Sequence, residues 1–259
     1  MPEVRFSLDP TREPKLSTAK TKAPRGTWPE YPGMYILLDI ETSGWGKAND
    51  RIISLASKAY VTERGEDGRD ELVAHASPAF DELIKIEGEV NRFVSDVSHG
   101  LTDVHLSRAK GDFGVVGKLW IDWLSELTSE IADGETVVMV GHNGFSCDFR
   151  KIACELVWNA LALPPRLEWS TLDTLDVIRA SRYYATLKSK ALSSVVNHVL
   201  RTDPRFYVDG ASADQPHTFE TYCGRAHDAM ADVLGLAVVL KVCFLSLTHF
   251  SPYVTPDSS

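Results

Sequence analysis

The sequence predicts one α/β domain, a mixed β-sheet flanked by α-helices. Three observations carry this. The chain has 259 residues, 44% of them apolar, which is enough for one packed core. Two oily runs, Met34-Tyr-Ile-Leu-Leu-Asp-Ile and Glu135-Thr-Val-Val-Met-Val-Gly, read as strands buried on both faces. Early strands are then followed by alternating strand and helix patterns, the order of a sheet covered by helices.

Taken in order, residues 1–28 are rich in Pro, Thr, Ser and Lys and have no strand or helix period. Six basic residues (Arg5, Arg12, Lys15, Lys20, Lys22, Arg25) stand there against Glu3, Asp9 and Glu13, so this arm is about +3. It reads as a solvated, flexible arm, with nucleic-acid binding or targeting as alternatives. Its three acids argue against a mitochondrial signal. Pro32-Gly33 and Gly44 bound the first strand. Residues 51–61 read as a second strand and 71–76 as a third, with a hairpin-like turn around 65–68. Residues 113–131 read as a helix, because Val116, Leu119, Trp120, Trp123, Leu124, Leu127 and Ile131 recur at helical spacing. Further helices are expected over 148–161, 191–200 and within 226–247. The apolar stretch from Val233 to Leu247 is interrupted by Lys241 and too short to span a bilayer comfortably, so it reads as a buried terminal helix. The expected organisation is an arm over 1–28, a folded domain over 29–250 and a tail over 251–259. No internal repeat is visible.

The formal net charge is −9, which argues against a non-specific duplex wrapper, since duplex binding is driven by Lys and Arg. The four cysteines form no CxxC pair and no zinc-finger spacing, so free thiols are expected. No secretory signal is evident. The expectation is a soluble intracellular protein, with nuclear, cytoplasmic and organellar locations open.

The acids carry the chemistry. Asp39 and Glu41 lie two apart on an otherwise oily strand, so both point to one face. That costs free energy unless a cation with oxygen ligands neutralises them, or unless the strand end is solvated. Asp148 follows a Gly-rich turn, Gly141-His142-Asn143-Gly144-Phe145-Ser146-Cys147, and opens a helix, where an Asp also serves simply as a cap. His227 and Asp232 are five apart, about 140° on an ideal helix, so they share a site only if His227 precedes the helix.

Together these segments resemble the DEDDh 3′→5′ exonucleases of the RNase H-like superfamily. The first motif is Asp39-Ile40-Glu41-Thr42-Ser43-Gly44, the second His142-Asn143 with Asp148, the third His227 with Asp232. The five-residue step from Asn143 to Asp148 is similar to the three-prime repair branch, where proofreading subunits usually have four. Ser98-His99-Gly100-Leu101-Thr102, Glu155-Leu156 and Leu172-Asp173-Thr174-Leu175 match in place. The resemblance runs from about Met34 to Leu247. The stretch 203–225 is longer and more polar than usual, and its role is open.

The resemblance implies an RNase H-like fold and a catalytic set of Asp39, Glu41, Asp148, His227 and Asp232. Asp39, Glu41, Asp148 and Asp232 would hold two divalent cations, Mg²⁺ or Mn²⁺, with Asp39 shared between them. His227 would take the proton from the attacking water, a task suited to imidazole. The substrate would be a nucleic acid with a free 3′ end, and a homodimer through an edge strand is admitted. Thr42, Gly44, His99, Leu101 and Asn143 would contact substrate. Trp45 is either a base contact or a core residue. Arg182, Tyr183 and Lys188 belong to a basic, tyrosine-bearing stretch that either grips single strands or forms a solvated face. DNA 3′ ends are the expected substrate. The alternatives are an RNA 3′-exonuclease, a polymerase-associated proofreading subunit and an inactive binding module.

Overall fold

The computed structural model describes residues 33–44, 50–65, 70–129, 131–132, 135–164, 168–180, 187–202 and 218–248. The arm and tail expected over 1–28 and 251–259 lie outside these residues, as does most of the turn expected around 65–68.

The elements, in chain order, are β1 (Met34–Thr42), β2 (Ile52–Arg64), β3 (Asp70–Ala74), β4 (Phe80–Leu83), α1 (Arg92–Val97), α2 (Asp103–Leu106), α3 (Phe113–Thr128), β5 (Thr136–Gly141), α4 (Asp148–Trp158), β6 (Glu168–Asp173), α5 (Thr174–Ala180), α6 (Leu192–Thr202), α7 (Phe219–Tyr222) and α8 (Ala229–Thr248). The strands form one mixed sheet in the order β3-β2-β1-β5-β6, with β4 also paired to β2. β1 runs antiparallel to β2 and parallel to β5, which is parallel to β6.

β1 is the central strand, and its two faces explain the layers. Met34, Ile36, Leu38 and Ile40 point into a core made with Phe113, Val116, Trp120 and Leu124 of α3 and with Phe149 and Ile152 of α4. Tyr35 and Leu37 point the other way, against Ala229, Val233, Leu236 and Leu240 of α8. This is the period-two alternation of a strand buried on both sides. α6 packs on the outer side of α8 through Val195, Val199, Val239 and Val242. α8 is therefore apolar around its circumference because it is covered on two sides. Among the described residues no helix is long and apolar enough to cross a membrane. Trp120 keeps its indole satisfied in the core by donating to Ser57 Oγ at 3.0 Å.

Candidate active site

Asp39 and Glu41 continue the face begun by Tyr35 and Leu37, so the surface of β1 that meets α8 turns from apolar to acidic towards its C-terminal end. Glu41 is 8% exposed. Immediately after it the register with β2 shifts, and Thr42 pairs with Ile52. The strand leaves the ladder there, the place where a bulge re-aims the chain beside a site. Thr42 Oγ1 donates to the Gly44 carbonyl at 2.7 Å and closes this turn. Gly44 has no room for a side chain, since a Cβ would lie 2.3 Å from Asp50 Oδ1. Trp45 lies outside the described residues.

Asp148 arrives from the neighbouring strand. β5 ends at Gly141, and the chain turns through Asn143, whose φ of 64° is a left-handed conformation that Asn tolerates. Gly144 is needed because a Cβ there would meet the Phe149 ring at 2.7 Å. The turn is held by a carboxylate. Asp173 Oδ1 accepts from Asn143 N at 2.8 Å and from Leu175 N at 3.0 Å, while Oδ2 accepts from Phe145 N at 3.2 Å. His142 anchors the other side. Its Nε2–H donates to the Lys190 carbonyl at 2.8 Å, and its Nδ1 accepts from the Thr174 hydroxyl at 2.9 Å. The N-cap position belongs to Cys147, whose side chain makes no capping bond, and Asp148 lies in the first turn. The cap reading of Asp148 therefore does not hold.

His227 and Asp232 meet as their spacing requires. α8 starts at Ala229, and His227 lies before it with φ of 63°. The His227 backbone N–H donates to Asp232 Oδ2 at 3.1 Å, and Asp228 caps the helix by accepting from Ala231 N at 3.1 Å. One ligand atom each from Glu41, His227 and Asp232 lie within 4.8 Å of one another. The two acids are buried and the imidazole is exposed, so the cluster opens to solvent on the histidine side.

The electrostatics bind these segments into one site. Burial pushes the Asp39 carboxyl well above the usual range, and the charges of Asp148, Asp232, Glu41 and Asp228 push the same way. Burial raises Glu41 to about 9, with Asp232 and Asp148 adding to it. Asp148 is raised to about 7 by burial, then by Asp173 and Asp232. Asp232 is raised to about 7 by burial, with the His227 N–H opposing. Such a set of mutually repelling acids has the chemistry to hold a cation.

The other sequence-selected residues surround this cluster unevenly. His99 is buried, and Leu101 N donates to its Nδ1 at 2.9 Å, so a neutral ring carries its proton on Nε2. That Nε2 is buried without a hydrogen bond, and burial lowers the pKa of the ring. Leu101 packs beside Ile53, Val90 and Leu106. Asn143 and Lys188 are exposed. Arg182 and Tyr183 lie outside the described residues, as do residues 203–217 of the polar stretch. Three contributors went unassigned in the sequence: Asp173, Asp228 and Arg225, whose guanidinium lies against Gly100 and reaches Ser98 O at 3.4 Å. Asp228 adjoins His227 in the chain. Nothing in the sequence around Asp173 announced that it would bind three backbone amides.

No protein-family profile and no curated protein sequence matches the chain. Solved structures do share its fold. The nuclease domain of 3'hExo, a DEDDh family member bound to rAMP, is 16% identical with a TM-score of 0.56, over 84% of this chain and 94% of that one. E. coli ExoI in its zinc-bound complex with ssDNA is 19% identical with a TM-score of 0.55, over 85% of this chain and 42% of that one. A 3′-exonuclease with 3′-end-specific recognition of a histone mRNA stem-loop is 15% identical with a TM-score of 0.54, over 83% of this chain and 65% of that one. The chain thus spans nearly all of the 3'hExo nuclease domain and less than half of ExoI. Its six-stranded mixed sheet with flanking helices is the RNase H-like fold of the DEDDh exonucleases.

Proposed function

We propose that the protein is a divalent-metal-dependent 3′→5′ exonuclease that removes nucleoside 5′-monophosphates from DNA 3′ ends, single-stranded or frayed. The observation that carries this is the convergence of Glu41, His227 and Asp232, from the central strand and the last helix, in a field shared with Asp39 and Asp148. The fold of the DEDDh exonucleases supports it.

The donors fit hard cations. Asp39, Glu41, Asp148 and Asp232 offer oxygen ligands only, which suits Mg²⁺ or Mn²⁺, and a cation would stabilise the charged forms that burial first, and neighbouring acids second, disfavour. When bound, two such ions supply charge stabilisation to the phosphate and ease deprotonation of the attacking water. The chain supplies the rest. His227 lies at the open side of the cluster and takes the water's proton; its backbone bond to Asp232 fixes the loop that carries the ring. His99 is buried beside Thr42 and would back the pocket for the terminal sugar. Thr42, Gly44, Trp45, Leu101 and Asn143 would line the terminal nucleotide, while Arg182, Tyr183 and Lys188 would hold the strand behind it.

A second reading, an RNA 3′-exonuclease, is supported by the rAMP bound to 3'hExo and by the 3′-exonuclease that recognises a histone mRNA stem-loop. It differs in contacts to the 2′-hydroxyl, not in the catalytic set.

Two variants test the assignment on a 3′-labelled oligonucleotide. His227→Ala lowers turnover by ~10²-fold or more, the usual worth of a general base, while Mn²⁺ binding persists. Asp232→Ala is nearly inactive and loses Mn²⁺ affinity. Wild-type digestion by either folded variant sinks the assigned role.

A further inference from the structure

Asp148 reaches the site from α4, while Asp39 and Glu41 reach it from β1, so the spacing of the carboxylates depends on how α4 is held against the sheet. The N-terminal half of α4 packs into the core through Phe149 and Ile152. Further along, Leu156 continues that packing and polar contacts join it. Glu155, 1% exposed, accepts two bonds from the Arg51 guanidinium, Nε to Oε1 and Nη2 to Oε2, both at 2.6 Å. One turn earlier, Lys151 Nζ donates to the Asp50 carbonyl at 3.0 Å. The same guanidinium lies over the Trp158 ring, 5.3 Å from its centroid. Arg51 is in turn locked to the chain just past Glu41. Ser43 N donates to its carbonyl at 2.9 Å, and its own N–H donates to Ser43 Oγ at 3.0 Å. A cavity of about 270 Å³, lined by Ile84, Phe113 and Trp158 among others, borders Arg51 and Glu155. On that side α4 borders open space, so hydrogen bonds add to the packing of Leu156 in restraining it.

We infer that Lys151, Glu155 and Arg51 form a brace between α4 and the end of β1 that sets the distance from Asp148 to Asp39 and Glu41, and so the affinity of the site for its cations. This rests on the metal-dependent reading above. These three are positioning residues: none is part of the carboxylate cluster, and each acts through the element it ties down. A bidentate pair resists both sliding and rotation of the helix, which a single contact does not. Removing one partner alone strands a buried charge, whereas replacing both by apolar residues of similar volume spares the fold.

The test uses the full chain and Mn²⁺ alone, titrated calorimetrically, with thermal unfolding in EDTA alongside. The double variant Arg51→Met/Glu155→Met keeps its unfolding transition in EDTA but binds Mn²⁺ about 10-fold or more weakly, the range seen when partners behind the ligands are removed. Glu155→Gln, which keeps the shape and one acceptor, falls between it and wild type. Unchanged Mn²⁺ affinity in a folded double variant overturns the brace, as does a drop in EDTA stability with affinity intact. If the double variant fails to fold, Glu155→Gln decides by the same criteria. A wild-type protein that binds no Mn²⁺ overturns the metal-dependent reading itself, which separates the two failures.

Discussion

At Asp39 burial weighs most against the charged carboxylate, and the charges of Asp148, Asp232, Glu41 and Asp228 add to it. Burial followed by neighbouring acids also raises Glu41, Asp148 and Asp232, opposed at Asp148 by a hydrogen bond from Cys147 and at Asp232 by the His227 N–H. Folded protein without metal therefore binds protons that the unfolded chain has already released. Stability falls with pH wherever the folded state holds more protons. The window starts near the ordinary carboxylate values and extends through about 7 for Asp148 and Asp232 to about 9 for Glu41. His99 and His142, lowered by burial, act oppositely, but only below their ordinary 6.5. Between roughly pH 6.5 and 8.5 the acids dominate. The melting temperature in EDTA is expected to fall across that window, and the gain on adding Mn²⁺ to grow. Asp39→Asn in EDTA at the upper end is expected to melt higher by roughly 3–10 °C, for about 1–3 kcal/mol of relieved repulsion, while turnover is lost. A melting temperature that climbs with pH in EDTA would contradict the placement of these acids.

At the scale of elements, the turn after β5 aims Asp148, and Asp173 at the end of β6 holds that turn. Asp173→Ala strands three amides beside a buried side chain, at a cost of about 3 kcal/mol or more. The expected result is a clear drop in melting temperature together with weaker Mn²⁺ binding; unchanged values in both would show that the turn holds itself. β1, β5, α3, α4 and α8 were legible because long apolar periods survive in the sequence. β4 and β6 were not: Phe-Asp-Glu-Leu is four residues long, and Glu-Trp-Ser-Thr-Leu-Asp is polar, so pairing with neighbours makes them strands. The expected strand at 71–76 is observed as Asp70–Ala74, and the helix expected to reach Ile131 ends at Thr128. The 140° conflict between His227 and Asp232 was legible as a requirement, and the left-handed turn at His227 meets it. The Arg51–Glu155 pair was not legible, because 104 residues separate its members.

For the whole molecule, the order of the sheet puts the ends of two parallel strands, β1 and β5, side by side, which is where α/β proteins place their ligands. α8 then closes over one face and brings the third motif to the same end. On the proposed reading, cations between these acids and a phosphate would offset the repulsion that a chain of net charge −9 adds at this point. The most direct measurement is a time course on single-stranded oligonucleotides labelled at either end, with Mg²⁺, Mn²⁺ or EDTA. A metal-dependent 3′→5′ exonuclease releases the 3′ label at once as a mononucleotide, shortens the 5′-labelled strand as a ladder, and stops in EDTA. Release of the 5′ label first, internal cuts, or digestion that continues in EDTA would contradict it.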